Sequence, residues 1–255
     1  MTASPTYSGP TPIVRPIQFV TDVAAWRAFY EDVGLVGTGV DADGWTVLAA
    51  DSGRLALHHA AADDPLAGKA KLSLEVPDLE EYRKAVAATG LELRPVTLGH
   101  GEALAVDLPH GRLHIDSAGP GEGGRAPVST DGINLQPLVY GPVETVRAGA
   151  DVAAMLGLTP RVFSDRGTWA DLAAHGLIAF HDGPMSTVDG EVGCEVGLET
   201  GNVEAVQSRL EAAGRTSRII DEAYGRTLRV DTPGGFELWV NEWQDDLYGY
   251  HLAQA

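Results

Sequence analysis

One cysteine, Cys194, stands in 255 residues, so an intramolecular disulfide framework is excluded and a reducing compartment suits the chain. Positive charge is scarce as well. Eighteen Lys and Arg face 36 Asp and Glu, and a formal charge of −18 repels nucleic acid and anionic membrane surfaces alike. No segment joins a basic start to an apolar run of signal-peptide type, and none is long enough to span a bilayer. A Gly-rich phosphate loop and a Ser-His-Asp order are also missing. What remains, 44% apolar and 21% charged, is the composition of a soluble globular protein. The expectation is a cytoplasmic protein without nucleic-acid or membrane partners; a homodimer is compatible with it.

What is present is a repeat. Val230-Asp-Thr-Pro-Gly-Gly-Phe-Glu-Leu-Trp239 reads as a strand end, a tight turn and a second strand, and Val106-Asp-Leu-Pro-His-Gly-Arg-Leu-His-Ile115 is similar. The offset is 124 residues (231 − 107). Leu74-Glu75 recurs as Leu198-Glu199 at that offset, Trp45-x-x-Leu-Ala-Ala50 as Trp169-x-x-Leu-Ala-Ala174, and Gly90 as Gly214. With slips of up to three residues, Arg15-Pro16 matches Gln136-Pro137 and Ala56-Leu-His58 matches Ala179-Phe-His181. A fixed period held over most of a chain means a duplicated domain.

Residues 1–12, rich in Thr, Ser, Pro and Gly, read as a loose arm before a first domain at 13–118. Val14–Val20 is an apolar run of strand length. Asp22 caps a helix carrying Val23, Trp26, Tyr30 and Val33, which Gly34 stops, and three strands follow. A second unit opens with the alternating strand Lys71–Val76, a helix capped by Asp78 and three more strands. Composition marks 119–131 as a linker, and 132–242 repeats the order: a strand at Ile133–Tyr140, a helix over Val143–Leu156, a loop at Met185–Glu191, a strand at Gly193–Leu198 and a helix capped by Asn202. Cys194 falls on the helix-facing side of its strand and reads as buried. The tail 243–255, with Trp243, Tyr248 and Tyr250, reads as covering a surface.

Four strand-helix-strand-strand-strand units, with Asp22 before Phe29-Tyr30 and Val33-Gly34-Leu35, the Glu-Val-Pro-Asp-Leu79 entry to the second helix and Glu-Leu-Trp239 after Pro-Gly-Gly, resemble the vicinal oxygen chelate superfamily of glyoxalases, bleomycin-resistance proteins and extradiol dioxygenases. The resemblance covers about residues 13–242. It implies an α+β fold of two tandem glyoxalase-like domains: four βαβββ modules forming two curved mixed sheets around cups, with helices outside. It leaves the chemistry open, because this fold hosts many activities.

The resemblance implies a divalent metal held by the first strand of each unit, the last strand and often the fourth. Carried over to the N-terminal half, those positions are Arg15, Ala56, Lys71 and His114, a set without the donors to hold a metal. In the C-terminal half they are Gln136, Ala179, Glu195 and Glu237. A strict offset sets Leu238 opposite His114, whereas the Glu-Leu-Trp text selects Glu237. Gln136, Glu195 and Glu237 would offer oxygen ligands to one divalent metal of the Mg, Mn or Ni kind, or Zn, with Glu195 or Glu237 as a catalytic base. The His-His-Glu set of the dioxygenases is absent, which argues against ring cleavage at iron.

Each position also has a plainer role. Glu195 and Glu199 can be solvated carboxylates on the polar face of a strand. His58 and His181, at equivalent places, can line the two cups or serve as hydrogen-bonded structural residues. Trp45 and Trp169 can be core or ligand platforms. Arg15, Lys71 and His114 can form a cationic seat for an anion, or Arg15 and Lys71 can pair with Glu75 or Asp116. Two functions follow. One is a weakly or non-catalytic binder of a small, partly aromatic or anionic molecule, with no cofactor. The other is a metal-dependent lyase or isomerase in the C-terminal cup. A purely structural tandem domain is the third reading.

Overall fold

The computed structural model describes residues 7–42, 44–118, 132–222, 225–244 and 246–253; the linker at 119–131 and arm residues 1–6 lie outside the described residues. Four helices, α1 (Val23–Val33), α2 (Leu79–Ala87), α3 (Val143–Met155) and α4 (Val203–Ala212), accompany four mixed sheets of five to seven strands. The four-module α+β architecture expected from the sequence is the one observed, but the strands divide into four sheets, two to each cup, where two curved sheets were expected.

Three of the helices start at an anticipated cap. The Asp22 carboxylate accepts from the Ala25 amide at 2.9 Å, Asp78 from Glu81 at 2.8 Å and the Asn202 side chain from Ala205 at 3.0 Å. Pro142, at the start of α3, offers no such bond. Gly34 ends α1 at φ +120°, and a Cβ there would also meet the Arg209 guanidinium at 2.7 Å. That guanidinium donates to the Val33 carbonyl at 2.8 Å, joining α4 to the end of α1.

The opening strand of each half is broken where one continuous strand was expected. Ile13–Val14 pairs with Ser73–Val76 in the second module's sheet, whereas Ile17–Val20 pairs with Arg54–His59 in the first. Asn134–Leu135 and Leu138–Gly141 divide in the same way between two sheets. Pro16 and Pro137 lie at the breaks and bring no N–H with which to continue a ladder. Ala70–Lys71 crosses back to pair with Ile17–Gln18, and Glu195 bridges Leu138. The strand starts thus pass from one sheet to its neighbour, and Arg15, Lys71, Gln136 and Glu195 sit at the passages, at the floor of each cup.

The stretch Met185–Glu191, read as a loop, holds part of a hairpin. Thr187–Val188 and Glu191–Val192 pair across Asp189 (φ +56°) and Gly190 (φ +75°), the two positive φ values of a type I′ turn. Glu191 then lies beside Arg112 of the N-terminal half.

Two hydrophobic clusters form the core, and each draws on both halves. Tyr82 and Val86 of α2 share one with Val146 and Ala150 of α3, Ile178 and Phe180. Trp26, Phe29 and Tyr30 of α1 share the other with Val203, Val206 and Leu210 of α4. The helices lie outside the cups but meet in pairs between the halves, where the Tyr82 hydroxyl donates to the Leu156 carbonyl at 2.7 Å. Tyr7, from the stretch read as an arm, packs against Tyr82 with ring centroids 6.0 Å apart. No helix among the described residues is long and apolar enough to cross a membrane.

Candidate functional site

Strand register sets the two cups side by side. Ser73 faces His114 as Gly197 faces Trp239, and Glu75 faces Asp116 as Glu199 faces Asn241. His114 therefore corresponds to Trp239, and Arg112 to Glu237. Neither sequence alignment, to Leu238 or to Glu237, gives this pairing. The second turn, Thr232-Pro-Gly-Gly-Phe236, is one residue longer than Leu108-Pro-His-Gly111, which moves the last strand by one. On the neighbouring sheet Ile17 pairs with Ala56 as Leu138 pairs with Ala179, so Arg15 answers to Gln136 and Phe19 to Tyr140. Trp45 and Trp169 both face a histidine, His58 and His181, and two residues on, Val47 answers to Asp171.

The N-terminal cup is full of its own charges. Arg15, 5% exposed, donates to Asp116 and approaches Glu75 at 3.8 Å, and its guanidinium stands 5.6 Å from the Trp45 ring centroid. Arg54 donates to Glu75 at 2.6 Å. Lys71 reaches Glu191 at 2.7 Å, and His114 Nδ1 lies 3.1 Å from the same carboxylate. Arg15, Arg54 and Lys71 are thus matched by Glu75, Asp116 and Glu191. The anion seat anticipated from Arg15, Lys71 and His114 is closed by these carboxylates, one of which, Glu191, comes from the other half of the chain. His58 packs edge-on to Phe19 and Trp45, and burial, then its neighbour His59, lowers its pKa.

The C-terminal cup is open. A cavity of about 280 Å³ is walled by Tyr140, Trp169, Trp239 and Tyr250, with Leu138 and Val162 between them. Its polar lining includes Gln136, Asn241, His181, Arg161, Asp171 and Glu199. Gln136 accepts from the Asn241 side chain at 3.1 Å. Arg161 forks onto Glu199 at 2.9 and 3.3 Å and approaches Asp171 Oδ2 at 3.4 Å. Among the described residues, Asp171 Oδ1 and the Trp169 indole N–H are buried without a hydrogen-bond partner. Burial pushes the Asp171 carboxyl up to about 7; Arg161 and the Leu172 backbone N–H oppose that rise and the Glu199 charge adds to it. His181 stacks obliquely on Tyr140 and meets Trp169 edge-on, and its Nδ1 lies 2.6 Å from the Asp182 carbonyl.

The proposed ligand triad is divided. Gln136 lines the 280 Å³ cavity, while Glu195 and Glu237 line an adjoining one of about 490 Å³. Trp239 and Leu138 stand in both walls, between the two. The Glu237 carboxylate is held by Arg218 at 2.5 Å and Arg229 at 3.5 Å, and Arg229 covers the Trp239 ring at 3.9 Å. With Gln136 bonded to Asn241 and Glu237 bonded to two arginines, the donor set as arranged does not fit a divalent ion. Among the described residues no three His, Cys, Asp or Glu side chains form a group that could hold a metal. Cys194 is buried beneath this region, which raises its thiol pKa.

Sequence reasoning missed Arg161, Asp171, Glu191, Tyr140 and Asn241. Asp171 had a signal: it occupies an unmatched place in Trp169-x-x-Leu-Ala-Ala and shares the inward face of Trp169 by strand parity. Glu191 follows an Asp-Gly pair, a hairpin signal. Tyr250 arrives on Tyr250–Leu252, a strand of the aromatic tail that pairs with Thr159–Ser164.

No protein-family model matches the chain, and no curated protein matches it by sequence. Solved structures do match in fold. A 2,3-dioxygenase from a Pseudomonas strain superposes with a TM-score of 0.58 at 17% identity, over 99% of this chain and 96% of that one. A Mn(II)-bound glyoxalase from Novosphingobium aromaticivorans gives 0.58 at 19% identity, over 94% and 84%. Homoprotocatechuate 2,3-dioxygenase from Brevibacterium fuscum, in complex with 3,4-dihydroxyphenylacetate, gives 0.53 at 15% identity, over 98% and 87%.

Proposed function

Starting from the vicinal oxygen chelate fold that these neighbours share with the chain, we propose that the C-terminal cup binds a small, partly aromatic molecule and holds it without bond-breaking chemistry. One observation carries this reading: a cavity of about 280 Å³ walled by Tyr140, Trp169, Trp239 and Tyr250, in a half whose counterpart cup is filled by its own ion pairs. The volume lies at the lower end of small-molecule sites and suits one or two rings. Flat faces from Trp and Tyr favour stacking of an aromatic ring. Cys194, single and buried, suits a cytoplasmic setting for this role.

The test is calorimetric titration of the full chain with phenol, indole and 3,4-dihydroxyphenylacetate, followed also by tryptophan fluorescence. Saturable one-to-one binding, weakened about tenfold or more by Trp169→Ala, is the expected result. Absence of binding across the set overturns the reading. So does a stoichiometric Mn, Ni or Zn in the purified protein that Glu195→Ala removes, which would favour the metal-dependent lyase instead.

A further inference from the structure

The N-terminal half shows what its cup was shaped around. Arg15 sends a guanidinium over Trp45 and between Glu75 and Asp116. At the equivalent places the C-terminal half keeps the indole (Trp169) and one carboxylate (Glu199), while Gln136 replaces the arginine with a shorter, uncharged side chain tied to Asn241. Space opens where the guanidinium would lie.

Charge follows the same logic. Arg15 and Arg54 offset Glu75 and Asp116 in the first cup, but in the second, among the described residues, one arginine, Arg161, is paired with both Glu199 and Asp171. Asp171, with a side chain 4% exposed, keeps one oxygen without a hydrogen-bond partner while lining the cavity. Glu242, also in the wall, is engaged by Arg226. A buried carboxylate in excess calls for a cation or a proton.

We propose that the ligand of the C-terminal cup is an organic cation, an amidinium, guanidinium or ammonium group on a small aromatic body, seated against Trp169 and the Asp171 carboxylate. The inference rests on the small-molecule reading of that cup and deepens it. The cation takes the place that Arg15 fills in the other half. When the cup is empty, a proton on Asp171 stands in for it, in keeping with the raised pKa of that carboxyl.

The test compares benzamidine, neutral benzamide and anionic benzoate by calorimetry on the full chain at pH 8. Benzamidine is expected to bind at least about tenfold more tightly than benzamide, with benzoate weakest, from charge pairing and cation–π contact. Asp171→Asn should reduce the benzamidine preference to within about twofold. Gln136→Arg, which returns an internal guanidinium, should abolish benzamidine binding in a chain that still melts cooperatively, and it decides the matter even where Asp171→Asn fails to fold. Benzamide or benzoate binding as well as benzamidine overturns the cation and leaves the aromatic-binding reading standing. Undiminished benzamidine binding by Gln136→Arg likewise overturns the cation. If none of the three binds, both fall.

Discussion

In the N-terminal cup Arg15 lies over Trp45 and reaches Glu75 and Asp116; at the same places the C-terminal cup has Gln136, Trp169, Glu199 and Asn241. One repeated scaffold has thus been finished in two ways. Where every buried carboxylate meets a cation from the chain itself, the cup is packed and electrically closed. Where one arginine is shortened to glutamine and one valine becomes aspartate, the same strands leave a cavity with a carboxylate to spare. Exchanges at strand positions, Arg15 for Gln136, Val47 for Asp171 and Asp116 for Asn241 among them, together with the tail strand that brings Tyr250, separate a filled cup from one that holds a cavity.

The comparison breaks first at the glutamates shared by both cups. Glu75 is fully buried between Arg15 and Arg54, so Glu75→Gln leaves two guanidiniums underpaired and should cost about 3–5 kcal/mol in urea unfolding. Glu199→Gln faces a partly exposed Arg161 that still has Asp171, and should cost only about 1–2 kcal/mol. Equal losses would mean that the cups are not electrostatically different.

Asp171 sharpens the contrast through pH. Its folded pKa, about 7, lies above that of the unfolded chain, so its contribution to stability is complete below about pH 4 and is lost as pH rises towards 7. Asp171→Asn should therefore gain on the wild type with rising pH, by a difference on the order of 2–4 kcal/mol between pH 4 and 8. Val47, at the same place in the first cup, has no such dependence, and parallel urea curves for wild type and variant at both pH values would refute the assignment.

A double-mutant cycle probes the filled cup itself. Arg15→Gln alone leaves Asp116 short of its partner, and adding Asp116→Asn should restore about 1–3 kcal/mol of what the first change loses. Strict additivity would show that the pair is incidental.

The smallest effect concerns the turns. His110, fully buried against Phe180, has an Nδ1 without a partner, and burial lowers its pKa. A depressed histidine pKa gives stability that is complete above the unfolded value, about 6.5, and is lost as pH falls below it. His110→Gln keeps a hydrogen-bonding partner for Thr145 and should remove about 1 kcal/mol of the loss between pH 7 and 5, read by thermal melts. The second copy of the turn carries Gly234-Gly235 there and has nothing to titrate.

The fold was legible because its signals are local. Asp22, Asp78 and Asn202 announce their helices within four residues, and the 124-residue period shows that the two-module half occurs twice. The first-strand positions Arg15, Lys71, Gln136 and Glu195 came from the family resemblance, and each lies where a strand passes from one sheet to its neighbour. What stayed hidden depends on pairing between distant strands. Lys71 and Glu191 meet across 120 residues of chain, and neither shows its partner in its own surroundings. Glu237 satisfies parity and motif alike, yet one extra residue in a turn brings Trp239 to the place of His114. Asp171 was passed over because the repeat was read through the residues that match, whereas the difference between the cups lies in those that do not.

The pairing of α1 with α4 and of α2 with α3 bears on how the chain is made. A ribosome delivers the first half with Trp26, Phe29 and Tyr82 only partly covered, because each shares its core with residues of the second half. At about 5–20 residues per second, that exposure lasts on the order of ten seconds. The duplicated text would suggest a protein that matures one half at a time. The crossed cores instead leave part of the apolar surface of the first half uncovered until its own copy arrives.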